Sequence, residues 1–313
     1  MPNLLAMSFE GELAPSFDLR CLRPEGKLPD GWGIGFYPGG EPSAQILKEA
    51  APPAQGSIRS ELVRAWQHLE SSLFVLHVRH ARWGQLSDAN TQPFLRSYGG
   101  RDWLIAHAGS LANRLEVPEG ARFEPVGSTD TERIFCVLLG RFAERGWKSL
   151  GEADPAVVRE WIGELNDQGS MTMVLADGRD LCVYADRAST SNGIHLCNVA
   201  PPYESVLFGD ADLQVDLTSR GIQGRKGVVI STDPLEPGSA VKMEWQKLAP
   251  GELLIIRQGS IRARVTSGED GAPHVSRSQP RMSVVRPEAT GPRTYDVTHR
   301  TTYRYAKAIE RST

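Results

Sequence analysis

The stretch MTMVLADGRDLCVYAD (171–186) constrains the fold more than any other part of the chain. Apolar and β-branched runs flank an Asp-Gly pair, the dipeptide that closes a tight turn between two antiparallel strands. The same strand-and-turn rhythm continues through ESVLFGD, KGVVISTDP, VKMEWQKLAPGELLIIRQG and SIRARV, so the second half of the chain predicts a mostly antiparallel sheet. Upstream, Asn3–Phe9 and Gly33–Tyr37 are short apolar segments bounded by Gly and Pro. SSLFVLHVRHA (71–81) and WLIAHAG (103–109) have the same strand character. Between the first two strands, ELAPSFDLRCLRPEGKLPDGWG carries three prolines and predicts a helix-poor loop.

Three segments have a helical period instead. Residues 57–70 set Leu62, Ala65, Trp66 and Leu69 on one face, with Ser57 or Ser60 as cap. Residues 129–146 open on a capping pattern and continue with i, i+3, i+4 apolar spacing, and a further helix is predicted over 155–167. Strands, then helices mixed with strands, then a long run of strands predict an α+β layered domain over residues 1–265. Residues 266–292 are rich in Gly, Ser and Pro and read as a flexible linker. Residues 293–313 alternate β-branched or aromatic with polar residues, a strand pattern too short to bury a core alone.

Charge and composition exclude several classes. The formal net charge of −3, with no basic run, gives no attraction to nucleic acid. No stretch approaches the roughly 18 apolar residues of a membrane helix, and the first residues lack a secretory signal. The four cysteines (Cys21, Cys136, Cys182, Cys197) show no CxxC spacing, which fits reduced thiols in a cytoplasm rather than bridges or a metal site. On a strand His77 and His80 point to opposite faces, so they read as structural residues rather than metal ligands. No cofactor is expected. The initiator methionine precedes Pro2, and its removal is expected to expose Pro2.

Four groups carry candidate chemistry: DGWGIGFY (30–37), HVRHARWG (77–84), NTQPF (90–94) with AHAGSL (106–111), and STDTE (128–132). Their order and spacing resemble the class II glutamine amidotransferases, N-terminal-nucleophile hydrolases with a four-layer αββα fold. The small bacterial branch that begins Met-Cys and carries a DGWGI motif is the nearest resemblance. It extends over about residues 1–255, through DGR (177–179) and WQKLAPGE (245–252).

What the resemblance implies falls into two halves. Arg79 matches the arginine that binds the substrate carboxylate, and a planar guanidinium suits a bidentate grip. Asp130 matches the aspartate that binds the amino group, Gly109 the glycine of the oxyanion motif, and Trp32 and Gly33 belong to an intact DGWG turn at the substrate. In the family the second residue is a cysteine whose thiolate attacks the glutamine amide while its own α-amine serves as base. Here Pro2 stands at that position, Ala108 stands for the oxyanion asparagine, and Gln92 replaces a histidine common in the family. The resemblance therefore implies a glutamine or γ-glutamyl pocket with lapsed glutaminase chemistry.

Each residue also has a plainer role. Arg79 serves as an ordinary ion-pair partner, Asp130 as a helix N-cap, and Trp32, Trp83 and Trp103 as core or pocket wall. The tail YDVTHRTTYRYAKAI resembles the opening strand of a bacterial transglutaminase-like N-terminal region, which implies a fused or neighbouring enzyme domain as partner. Two alternatives stay open. One is an active amidotransferase or γ-glutamyl hydrolase, including one that uses the Pro2 amine. The other is a purely structural interaction domain.

Overall fold

The computed structural model describes residues 4–23, 28–40, 42–53, 57–65, 69–80, 85–188, 193–201, 203, 205–217, 225–238, 243–267 and 273–277. The chain opens with β1 (Leu4–Leu13), β2 (Ser16–Asp18), β3 (Gly31–Pro38), β4 (Gln45–Ala50), α1 (Ile58–Ala65) and β5 (Ser71–Arg79). The middle supplies β6 (Phe94–Tyr98), β7 (Arg101–Leu111), α2 (Asp130–Glu144), α3 (Pro155–Asn166), β8 (Gly169–Ala176) and β9 (Asp180–Tyr184). Next come β10 (His195–Val199), β11 (Leu207–Gly209), β12 (Gln214–Asp216), β13 (Gly227–Ser231) and β14 (Glu236–Pro237). The last are β15 (Trp245–Lys247), β16 (Leu253–Arg257), β17 (Ser260–Ser267) and β18 (Pro273–Arg277).

Two seven-stranded sheets form the centre. One has the order β15-β10-β13-β1-β5-β3-β4 and the other β18-β17-β16-β9-β8-β7-β6. Alternation along the strands sorts side chains into layers. Leu4, Ala6, Leu73 and Val75 of the first sheet meet Leu104, Ala106, Val174 and Val183 of the second in an inter-sheet core. On the far side of the second sheet, Trp103, Ile105, Met171 and Met173 pack under α2 and α3 through Phe135, Leu139, Phe142 and Ile162. On the far side of the first, Leu5, Met7, Trp32 and Phe74 pack against Val63 of α1 and against Phe17, Phe208 and Val215. Those last three come from a small sheet ordered β14-β11-β12-β2. The expected α+β, four-layer order is present, with the fourth layer shared between one helix and this small sheet.

Several local expectations hold for local reasons. The Asp-Gly turn joins β8 to β9 with Gly178 at φ +86°. Thr129 caps α2 by accepting from the Glu132 N–H, and Asp154 caps α3. Ser57 Oγ accepts from the Ser60 N–H at the start of α1 (3.1 Å).

Three expectations need correction. Thr129, not Asp130, is the cap of α2, because Asp130 is already the first helical residue. Leu62, expected on the buried face of a helix over 57–70, is exposed while its neighbour Val63 is buried; Leu69 is buried as expected but lies beyond the end of α1 at Ala65. The linker predicted over 266–292 starts too early. β17 runs to Ser267, and Pro273–Arg277 pairs with it as β18. Residues 278–313, with the rest of the linker and the tail, lie outside the described residues.

β3 has a face made of glycine. Gly31, Gly33 and Gly35 look toward the second sheet, and a Cβ on Gly33 would lie 2.2 Å from the Gln92 carbonyl oxygen. On Gly35 it would lie 2.8 Å from Leu104 Cδ1. The 91–93 segment thus rests directly on the β3 backbone. Gly33→Ala is expected to cost roughly 2 kcal/mol or more through overpacking against a backbone atom that cannot rotate away. Chemical denaturation checks this; a variant as stable as the parent contradicts the packing.

Candidate functional site

Several candidate residues lie on paired strands of the two central sheets. Leu4, the first described residue, pairs with His77 of β5, which pairs in turn with Gly33 of β3. Arg79 lies two residues on, opposite Gly31. Val75 belongs to the inter-sheet core, so His77 and Arg79 present that same face. Ala108 of β7 packs at the edge of the same core from the other sheet.

Gln92 ties the two sheets together here. Its side-chain carbonyl accepts from the His107 N–H (2.7 Å) and its amide donates to the His107 carbonyl (3.1 Å). Its own backbone meanwhile covers Gly33. His107 then fastens α2 to the sheet. Its Nε2 lies 3.1 Å from the Ser170 carbonyl, which only accepts, so Nε2 carries the proton. Nδ1 is left to accept from the Thr131 hydroxyl, also at 3.1 Å. Next to Thr131, the Asp130 carboxylate accepts from the Leu111 N–H (3.0 Å).

Arg79 is mostly buried, and Nη1 donates to the Gln85 carbonyl (3.4 Å). Burial draws its guanidinium below its ordinary pKa, and the Asp30 carboxylate opposes that. Among the described residues no carboxylate lies within salt-bridge distance of it.

The other predicted residues are distributed as follows. Gly109 pairs with Met171, and a Cβ there would lie 2.2 Å from the Ser170 carbonyl oxygen, so this position excludes any larger residue on steric grounds alone. Trp32 is not brought to the site. It is fully buried on the opposite face of its sheet, where Nε1 donates to Glu49 (3.2 Å). Trp103 is core beneath α2. His80 faces Asp212 at 3.5 Å, away from His77. Pro2 and Trp83 lie outside the described residues. All four cysteines are buried and unpaired.

Sequence reasoning passed over three residues. Glu132, nearly fully buried, accepts from the Val126 and Gly127 N–H groups (2.9 and 2.6 Å) and so holds the loop ahead of α2. Its place at N3 of a Thr-x-x-Glu box was the available signal, although its carboxylate reaches forward of the cap. Lys48 donates to the Thr91 carbonyl (3.0 Å) over the Phe94 ring. Asn90, inside NTQPF, bonds to the Gln85 carbonyl and the Ser128 N–H.

Two buried imidazoles are held neutral. Burial, reinforced by His107, Arg79 and His80, pushes His77 down to about 3, and burial also lowers His107. The unfolded chain takes up these protons near pH 6.5 while the folded one refuses them. Stability is therefore complete above about pH 6.5 and falls as pH drops through the window toward 3. Each such histidine contributes a slope of about 1.4 kcal/mol per pH unit. His77→Gln is expected to remove one proton's worth of that slope in denaturation curves between pH 6.5 and 4.5; an unchanged slope contradicts the assignment.

Comparison with known proteins places the chain in a family. The chain is 33% identical over 260 residues to "Putative glutamine amidotransferase YafJ" of Escherichia coli K12, covering 80% of this chain and 96% of that one. It superposes on the crystal structure of a predicted glutamine amidotransferase from Pseudomonas aeruginosa PA01 with a TM-score of 0.64 and 26% identity, over 83% and 98% of the two chains. The glutamine phosphoribosylpyrophosphate amidotransferase of B. subtilis shares the fold at TM-score 0.50 and 17% identity, over 88% of this chain and 48% of that one. No helix among the described residues is long and apolar enough to cross a membrane. Residues 1–280 match the family model of the class-II glutamine amidotransferases, and the chain belongs to that family.

Proposed function

We propose that this chain holds L-glutamine or a γ-glutamyl compound and has lost the hydrolytic step. Arg79 grips the ligand carboxylate and Asp130 its ammonium. The side chain to be polarised extends toward Ala108. A buried guanidinium and a carboxylate held at a helix start are suited to a zwitterion.

One observation carries the reading. On the inter-sheet face that Arg79 shares, position 108 offers a methyl group where an amide donor would stabilise an oxyanion. Loss of one such donor costs about 10²–10³ in kcat. Pro2 points the same way, since a proline supplies no thiol. The ligand-binding module then acts in the cytoplasm beside a fused or neighbouring enzyme domain.

Wild-type protein is expected to release ammonia from glutamine no faster than a protein-free blank. The double variant Pro2→Cys, Ala108→Asn is expected to release it measurably, with mass spectrometry confirming that the introduced cysteine is the exposed terminus. Ammonia release by the wild type that Pro2→Ala abolishes would instead establish an active enzyme working through the proline amine.

A further inference from the structure

We propose that Asn90 is the positioning residue that fixes the spacing between Arg79 and Asp130, and with it the preference for an L α-amino-acid head group. This rests on the ligand reading given above. Asn90 is 4% exposed and sits between the two segments that carry those charges. Its Nδ2 donates to the Gln85 carbonyl (3.0 Å), the same oxygen that accepts from Arg79 Nη1 (3.4 Å). Its Oδ1 accepts from the Ser128 N–H (2.8 Å) and the Ser128 hydroxyl (3.3 Å), two residues before Asp130. The amide orientation follows from these partners, because a carbonyl must face a donor and an N–H must face a carbonyl.

The contact has no slack. A Cβ on Gly127 would lie 2.4 Å from Asn90 Oδ1 and 2.4 Å from the Ala89 carbonyl oxygen, so the 127–128 backbone is seated against Asn90. Asp130 is anchored from the other side by the Leu111 N–H. The guanidinium and the carboxylate are therefore linked through one small amide, with the Gln85 carbonyl and Ser128 as its two ends. Recognition of an α-amino acid's hand needs carboxylate, ammonium and side chain located together. A shift of either charged group relaxes that three-point fit before it unfolds anything.

The test is calorimetric titration of the full chain with L-glutamine and with D-glutamine, for the wild type, Asn90→Asp and Gly127→Ala. Asn90→Asp keeps the acceptor for Ser128 and removes the donor to Gln85. Gly127→Ala keeps every hydrogen-bonding group and displaces the 127–128 segment. Either folded variant is expected to bind L-glutamine about tenfold more weakly and to lose most of the preference for L over D. A folded variant with an unchanged ratio of L to D affinity overturns the inference, and so does an equal loss for both enantiomers, which marks a merely structural residue. Should Asn90→Asp fail to fold, Gly127→Ala decides. A wild type that binds neither enantiomer overturns the ligand reading and this inference together. A wild type that binds L-glutamine, with variants that do so equally well, overturns this inference alone.

Discussion

The site depends on one seam between the sheets. The Gln92 side chain takes both backbone hydrogen-bonding groups of His107, and its carbonyl rests on a glycine of β3. Because β3 presents no Cβ there, the 91–93 segment lies directly on the backbone of the first sheet while its side chain is bound into the second. A seam made of backbone cannot be relieved by rotamer changes, so it fixes the separation of the sheets at the end where Arg79 and Ala108 face the same space. Lys48 pins the segment from β4. His107 passes the constraint to Thr131 and the first turn of α2.

Neutrality is part of that arrangement. Burial lowers the pKa of both His77, which lies two residues from Arg79 on the same strand, and His107, which faces α2. Nδ1 of His77 is buried with no partner among the described residues, a polar atom whose desolvation is offset elsewhere in the fold.

The parts of this structure written in local sequence are legible there: the Asp-Gly hairpin, the capped helices α2 and α3, and the order of strand and helix. The small sheet of the fourth layer is not. β2, β11 and β12 are each three residues long, and although β11 pairs locally with β12, β2 joins them from the other end of the chain, where no window of the sequence contains its partner. Membership of DGWG puts Trp32 at the substrate, yet alternation sends its ring to the opposite face while its glycine neighbours face the site. Asn90 and Glu132 acquire their roles only through contacts with loops that periodicity cannot place. Motif resemblance locates Arg79 and Asp130, and the contacts of Asn90 link the segments that carry them.

In the reading proposed above, the chain keeps its grip on a substrate while positions 2 and 108 carry Pro and Ala, so that binding and chemistry separate. Grip depends on the seam, on buried charge and on packing that the whole fold supports. Chemistry hangs on two or three atoms that can change without disturbing any of it. The most direct measurement is isothermal calorimetry with L-glutamine on the wild type and Arg79→Ala. The account predicts saturable binding at millimolar ligand or below that Arg79→Ala abolishes. No heat from the wild type, or undiminished binding by Arg79→Ala, would contradict it.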